Sequence, residues 1–213
     1  MLTEKDLQQI KVRGSNPETV EIQINNFIKG FPFLKVEAAA TVGKGIIQLS
    51  EDKVSDRAAL YDQKVENGVK PLKFVPASGA ASRMFKALFE ALEDCRKSEN
   101  SEEVLARHSA ARNFLANREK FAFYEELQTV LKEKNAPENC SSWIDFLLNE
   151  KGLNYGALPK GLLKFHKYEE GERTPFEEHL VEGALYGRDK NNLVRLHFTV
   201  SPEYRQGFEE LLE

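Results

Sequence analysis

The segment Phe74-Val75-Pro76-Ala77-Ser78-Gly79-Ala80-Ala81-Ser82-Arg83-Met84 combines residue types suited to phosphate chemistry. Leu72 to Pro76 reads as a short strand closed by proline, and Met84, Phe85, Leu88, Phe89, Leu92 and Cys95 then recur at helical spacing. A strand that turns sharply into a helix presents backbone N–H groups, and the helix start adds partial positive charge. The small residues Ala77, Ser78, Gly79, Ala80 and Ser82 let an anion approach the backbone, and Gly79 is free to adopt a positive φ. Arg83 offers a planar fork of donors matched to phosphate, and Lys86 follows one turn later. The same residues also suit a helix start that packs against a sheet, and the loop alone does not separate the two readings.

Other reactive side chains form no constellation. His108, His166, His179 and His197 are scattered without metal-ligand spacing, and no metal site is expected. Ser82 lacks the G-x-S-x-G surroundings of a nucleophile elbow. Cys95 and Cys140 are too few for a disulfide scaffold and lie in no C-x-x-C pair, so they read as two buried thiols of a cytosolic protein.

The loop matches neither the G-x-x-x-x-G-K-S/T phosphate loop nor the G-x-G-x-x-G dinucleotide fingerprint. Three further segments follow it: Pro159-Lys160-Gly161-Leu162-Leu163, Pro175-Phe176-Glu177-Glu178-His179, and Leu196-His197-Phe198-Thr199-Val200-Ser201-Pro202-Glu203. In this order the four segments resemble the nucleotide-diphospho-sugar transferase superfamily, above all its sugar-phosphate nucleotidyltransferases and cytidylyltransferases. The signature there reads P-A-(A/G)-G-x-G-(S/T)-R-(M/L), then P-K-x-L-L, a strand, and P-(L/I)-(L/I)-E-H opening a helix. The chain is also similar to an uncharacterised bacterial family known only as a domain of unknown function.

The superfamily resemblance implies that Gly79, Ser82 and Arg83 hold the phosphates of a nucleoside triphosphate, and the residue types place Ala77, Ser78, Ala80 and Lys86 around them. It implies catalytic roles for Arg83 and Lys160, which would neutralise charge while a phosphorylated small molecule attacks the α-phosphorus and pyrophosphate leaves. It further implies Mg²⁺, with the metal-binding aspartate on later strands of a longer protein, so that this chain is expected to be a fragment. Two positions depart from the signature: Ser78 replaces a Gly or Ala, and Ala81 replaces a Gly, where a Cβ is expected to restrict backbone approach. A long helical stretch also separates Met84 from Pro159. The alternatives are a relative that binds nucleotide or phosphate without turnover, and a helical interaction module.

These segments must be positioned by an α/β fold. Helices are expected at 3–12 (capped by Thr3), from Asn16-Pro17 to about Gly30, and over 51–66. Beyond the strand at 72–76, residues 98–150 read as helices at Glu102–Asn117, Arg118–Lys134 and Ser142–Asn149, with Trp143, Phe146 and Leu147 as anchors. Gly161–Phe165 reads as a strand, Lys164–Arg173 as a solvated hairpin or loop, Thr174-Pro175 as a helix start, and Leu193–Val200 as a strand before a last helix. Strands alternating with helices argue for a Rossmann-like, mostly parallel sheet, here the N-terminal half of a nucleotidyltransferase-type domain. The division expected is an N-terminal helical region, 1–70, and an α/β domain, 71–213, with a helical insertion at about 87–157.

The whole composition fits that scheme. The 213 residues are 41% hydrophobic and 30% charged, which suffices for one large domain or a core with an appended subdomain. A net charge of −4 gives no bulk attraction to nucleic acid or to an anionic membrane surface. The first residues form no signal peptide, and no apolar run reaches the roughly 18 residues that span a bilayer, so a soluble cytoplasmic protein is expected.

Overall fold

The computed structural model describes residues 2–98 and 100–213. The chain forms two compact units, Met1–Ser55 and Asp56–Glu213.

The first unit is built from local signals. Helix α1 (Glu4–Val12) is closed by a capping box: Asp6 N–H donates to Thr3 Oγ1, and Thr3 N–H donates to the Asp6 carboxylate. Helix α2 (Pro17–Lys29) begins with Asn16 Oδ1 accepting Thr19 N–H at 2.8 Å, and it stops at Gly30, whose φ of +76° continues no helix. Strands β1 (Thr41–Val42) and β2 (Gly45–Ile46) form a two-residue ladder. Neither α1 nor α2 carries a buried residue, and Ile24, Phe27 and Ile28 of α2 lie exposed. Helix α3 (Glu51–Glu66) runs across the division between the units.

The second unit contains a helical block and a small α/β element. In the block, α4 (Lys86–Lys97), α5 (Ser101–Arg107), α6 (Ser109–Ala116) and α7 (Tyr124–Glu133) surround α8 (Cys140–Leu148). Helix α8 is apolar on nearly every side and carries seven buried residues, Trp143, Phe146 and Leu147 among them, as a helix at the centre of a core must. The expected continuous helix over 102–117 is broken at His108, whose backbone leaves helical geometry and whose ring bonds the Asp94 carboxylate on α4 at 2.9 Å. The stretch from Arg118 begins instead with a 3₁₀ turn, Arg118–Lys120, and the Arg118 guanidinium stacks on Trp143.

Strand β3 (Lys73–Pro76) pairs in parallel with β6 (Leu196–Thr199), with Phe74 opposite His197 and Pro76 opposite Thr199. Between them come the antiparallel hairpin β4 (His166–Tyr168) and β5 (Gly171–Arg173), and helix α9 (Pro175–Tyr186), opened by a Thr174/Glu177 capping box. Helix α10 (Arg205–Glu210) follows β6. Where the alternation predicts a Rossmann-like, mostly parallel sheet, the described residues form parallel pairs at β3–β6 and β1–β2 and no sheet of more than two strands.

The strand expected at 161–165 does not form. Lys160–Leu162 is a 3₁₀ turn, Leu163 is drawn fully into the helical core, and Lys164 N–H donates to the Tyr155 hydroxyl instead of to a neighbouring strand. Tertiary burial overrides the β-like composition of the segment.

Candidate phosphate-binding loop

The loop leaves the carboxyl end of β3 beside the carboxyl end of β6, where an open parallel sheet leaves room for a ligand. Ala77, buried, extends the pairing by one bond, its N–H donating to the Thr199 carbonyl at 2.9 Å. Ser78, Gly79 and Ala80 then turn into solvent. The chain returns to the interior at Ala81, which is fully buried, and Met84 N–H closes a turn onto the Ala81 carbonyl at 2.8 Å. Phe85, also buried, leads into α4.

Lys160 comes to this loop through its backbone. Its N–H donates to the Gly79 carbonyl at 3.0 Å, Ala81 N–H donates to the Leu158 carbonyl at 3.4 Å, and Ala80 and Pro159 form an isolated antiparallel bridge. The turn that follows is seated by close packing at Gly161. A Cβ at that position would stand 2.9 Å from the buried ring of Phe208. Around Phe208 a second, smaller core of Ala77, Phe176, Leu162 and Phe198 holds the loop, the turn, α9 and β6 together.

Three features make the loop suited to an anion. First, among the described residues the backbone N–H groups of Ser78, Gly79, Ala80, Ser82 and Arg83 make no hydrogen bond within the protein. Second, α4 begins with no side-chain cap and no acidic residue in its first turn, so its positive end is uncompensated. Third, Arg83, Lys86 and Lys160 are all exposed there. Lys86 makes only a loose surface pair with Glu90 at 3.8 Å, and among the described residues no carboxylate lies within 4.0 Å of Arg83 or Lys160. Directly after Arg83, Met84 and Phe85 open an apolar groove of about 580 Å³ walled by Phe114, Phe121 and Phe165.

Two expectations about this loop are corrected. Gly79 does not use a positive φ, and nothing lies within 4 Å of the place its Cβ would occupy. Its value lies in the bare peptide it offers to solvent. Ala81, standing where the signature has glycine, has its N–H bonded to the Leu158 carbonyl and its methyl packed in the helical core.

Asp189 is buried, with its carboxylate held by Arg195 at 2.8 Å and by the N–H groups of Asn191 and Leu193, and these bonds keep its acidity high. Glu182 takes the Lys73 ammonium and the His179 ring, and these two bonds bring its pKa down to about 2. Asp145 pairs with Arg96 and Lys151 near the end of α8. Among the described residues no group of three or more His, Cys, Asp or Glu side chains is placed to hold a metal ion. The Mg²⁺ implied by the superfamily resemblance finds no such ligand group among the described residues. Among the same residues no helix is long and apolar enough to cross a membrane.

The backbone pairing of Lys160 with Gly79 was not visible in the sequence; the proline of Pro159-Lys160, which marks an extended residue, was its one local sign. Nor was it visible that the helices after Met84 supply the floor of the loop, through Ala81 and Phe85.

Residues 3–213 match the family described as Domain of unknown function (DUF4301), and the chain belongs to that family. No curated protein and no solved structure matches it.

Proposed function

We propose that the segment Pro76–Met84, together with Lys160, holds the phosphates of a nucleoside triphosphate in a domain of the sugar-phosphate nucleotidyltransferase type. In that reaction a phosphate oxygen of a phosphorylated small molecule attacks the α-phosphorus. The bond from the α-phosphorus to the bridging oxygen breaks, and pyrophosphate leaves with a nucleotide-diphospho product remaining. The residues of this chain would bind and neutralise: free N–H groups at Ser82 and Arg83 for phosphate oxygens, the Arg83 fork for two oxygens at once, Lys160 as a point charge on the reacting phosphates. The parallel pair β3–β6, with the loop at its carboxyl end, is on this reading the centre of the larger Rossmann-like sheet.

The observation that carries the proposal is the bond from Lys160 N–H to the Gly79 carbonyl, which unites two distant signature segments at one place while leaving Arg83 and Lys160 without carboxylate partners among the described residues. Thermal-shift titration with nucleoside triphosphates, with and without Mg²⁺, tests it. A ligand-induced shift in the wild type that is lost in Arg83→Ala and Lys160→Ala is the expected result. A shift unchanged in both variants places the ligand elsewhere.

A further inference from the structure

Cys95 and Cys140 lie far apart in the sequence, yet their sulfurs stand 3.2 Å from each other. Cys95 occupies the last turn of α4, and Cys140 is the first residue of α8. Both positions are at helix ends, where a small adjustment of backbone and χ1 is least costly. A covalent S–S bond is about 2.05 Å long, so the two sulfurs need approach by only about 1 Å. Cys140 is buried in the helical core, whereas Cys95 is partly buried against it. Burial, together with the Cys95 contact, raises the Cys140 thiol to about 12, so Cys140 remains protonated at neutral pH.

We propose that Cys95 and Cys140 form a reversible dithiol–disulfide pair that a hydroperoxide oxidises within one chain. The Cys95 thiolate attacks the terminal peroxide oxygen, the O–O bond breaks, and the departing hydroxide or alkoxide takes up a proton. Cys95 is thereby oxidised by two electrons to a sulfenic acid. Cys140 then attacks the Cys95 sulfur. The S–S bond forms, the S–O bond breaks, and hydroxide leaves with the Cys140 proton as water. Dithiothreitol reverses the change. The bond ties the C-terminal end of α4, the helix that leads out of the phosphate-binding loop, to the start of the central helix α8. It is independent of the nucleotide reading, since no step of the oxidation uses a residue of the loop.

Intact-mass analysis of the full chain after hydrogen peroxide treatment and denaturing alkylation tests it. A monomer lighter by two hydrogen atoms and closed to alkylation is expected, with a 95–140 cross-linked peptide and a higher unfolding temperature, all reverting with dithiothreitol. In Cys140→Ser, Cys95 is expected to gain oxygen instead, and in Cys95→Ser, Cys140 is expected to stay reduced under the same treatment. Wild-type protein that keeps two alkylatable thiols, accumulates oxygen on Cys95, or cross-links only between chains overturns the proposal.

Discussion

The backbone N–H of Lys160 donates to the Gly79 carbonyl at 3.0 Å, and with the Ala80–Pro159 bridge this fastens two segments separated by the whole helical block. The block lies between them in sequence but beneath them in space: Ala81 and Phe85 of the loop are members of the core built around α8. What reads as an insertion is therefore the support on which the loop rests, and the loop's exposed face is left to Ser78, Gly79, Ala80, Ser82 and Arg83.

Gly161→Ala is expected to destabilise the protein by about 1–3 kcal/mol, the usual cost of forcing a carbon into a packed interior. The new Cβ would stand 2.9 Å from the Phe208 ring, which is 4% exposed. Urea denaturation measures the loss, and Phe208→Leu in the same chain should recover part of it. Additive losses in the double variant would mean that the two residues do not share the clash.

Ala81→Gly introduces the glycine of the nucleotidyltransferase signature, and it is expected to help nothing. The methyl lies in the helical core, so its removal should cost about 1 kcal/mol through lost burial and added chain freedom. Nucleotide affinity should stay unchanged. Tighter binding in this variant would show that the Ala81 side chain does face the ligand.

Glu182 supplies a pH-dependent contribution. Its carboxyl titrates at about 2 in the folded protein against an ordinary value of 4.5, chiefly because it accepts from Lys73 and then from His179. A depressed carboxyl stabilises the fold above its unfolded value and loses that contribution as pH falls from about 4.5 toward about 2. Glu182→Gln should therefore be less stable than wild type at pH 7, by less than about 1 kcal/mol because the pair is partly solvent-screened. The two proteins should converge near pH 2 in denaturation experiments. A gap that persists undiminished at that pH would assign the effect to packing instead.

The parts of this fold that were legible in the sequence are those set by neighbouring residues. The capping side chains of Thr3, Asn16 and Thr174 start helices where their hydroxyl or amide finds a free N–H close by in the chain. The strand at Lys73–Pro76 is ended by its own proline. The parts that were not legible depend on distant partners. His108 ends a helix because Asp94, on another helix, takes its ring. Leu163 leaves the strand its neighbours favour because the core around α8 has a place for it. At the loop the residue types pointed to an anion, but which N–H groups remain free was decided by the carbonyls of Leu158 and Thr199, and no local pattern records those bonds.

Phosphate binding by the backbone N–H groups and cations of the loop is tested most directly by amide NMR of the whole chain during titration with pyrophosphate and then with a nucleoside triphosphate. Saturable shifts of the Ser78, Gly79, Ser82 and Arg83 amides, absent in Arg83→Ala, are expected. Saturable shifts confined to residues outside 77–86 and 158–161, or none at the highest ligand concentration, would contradict it.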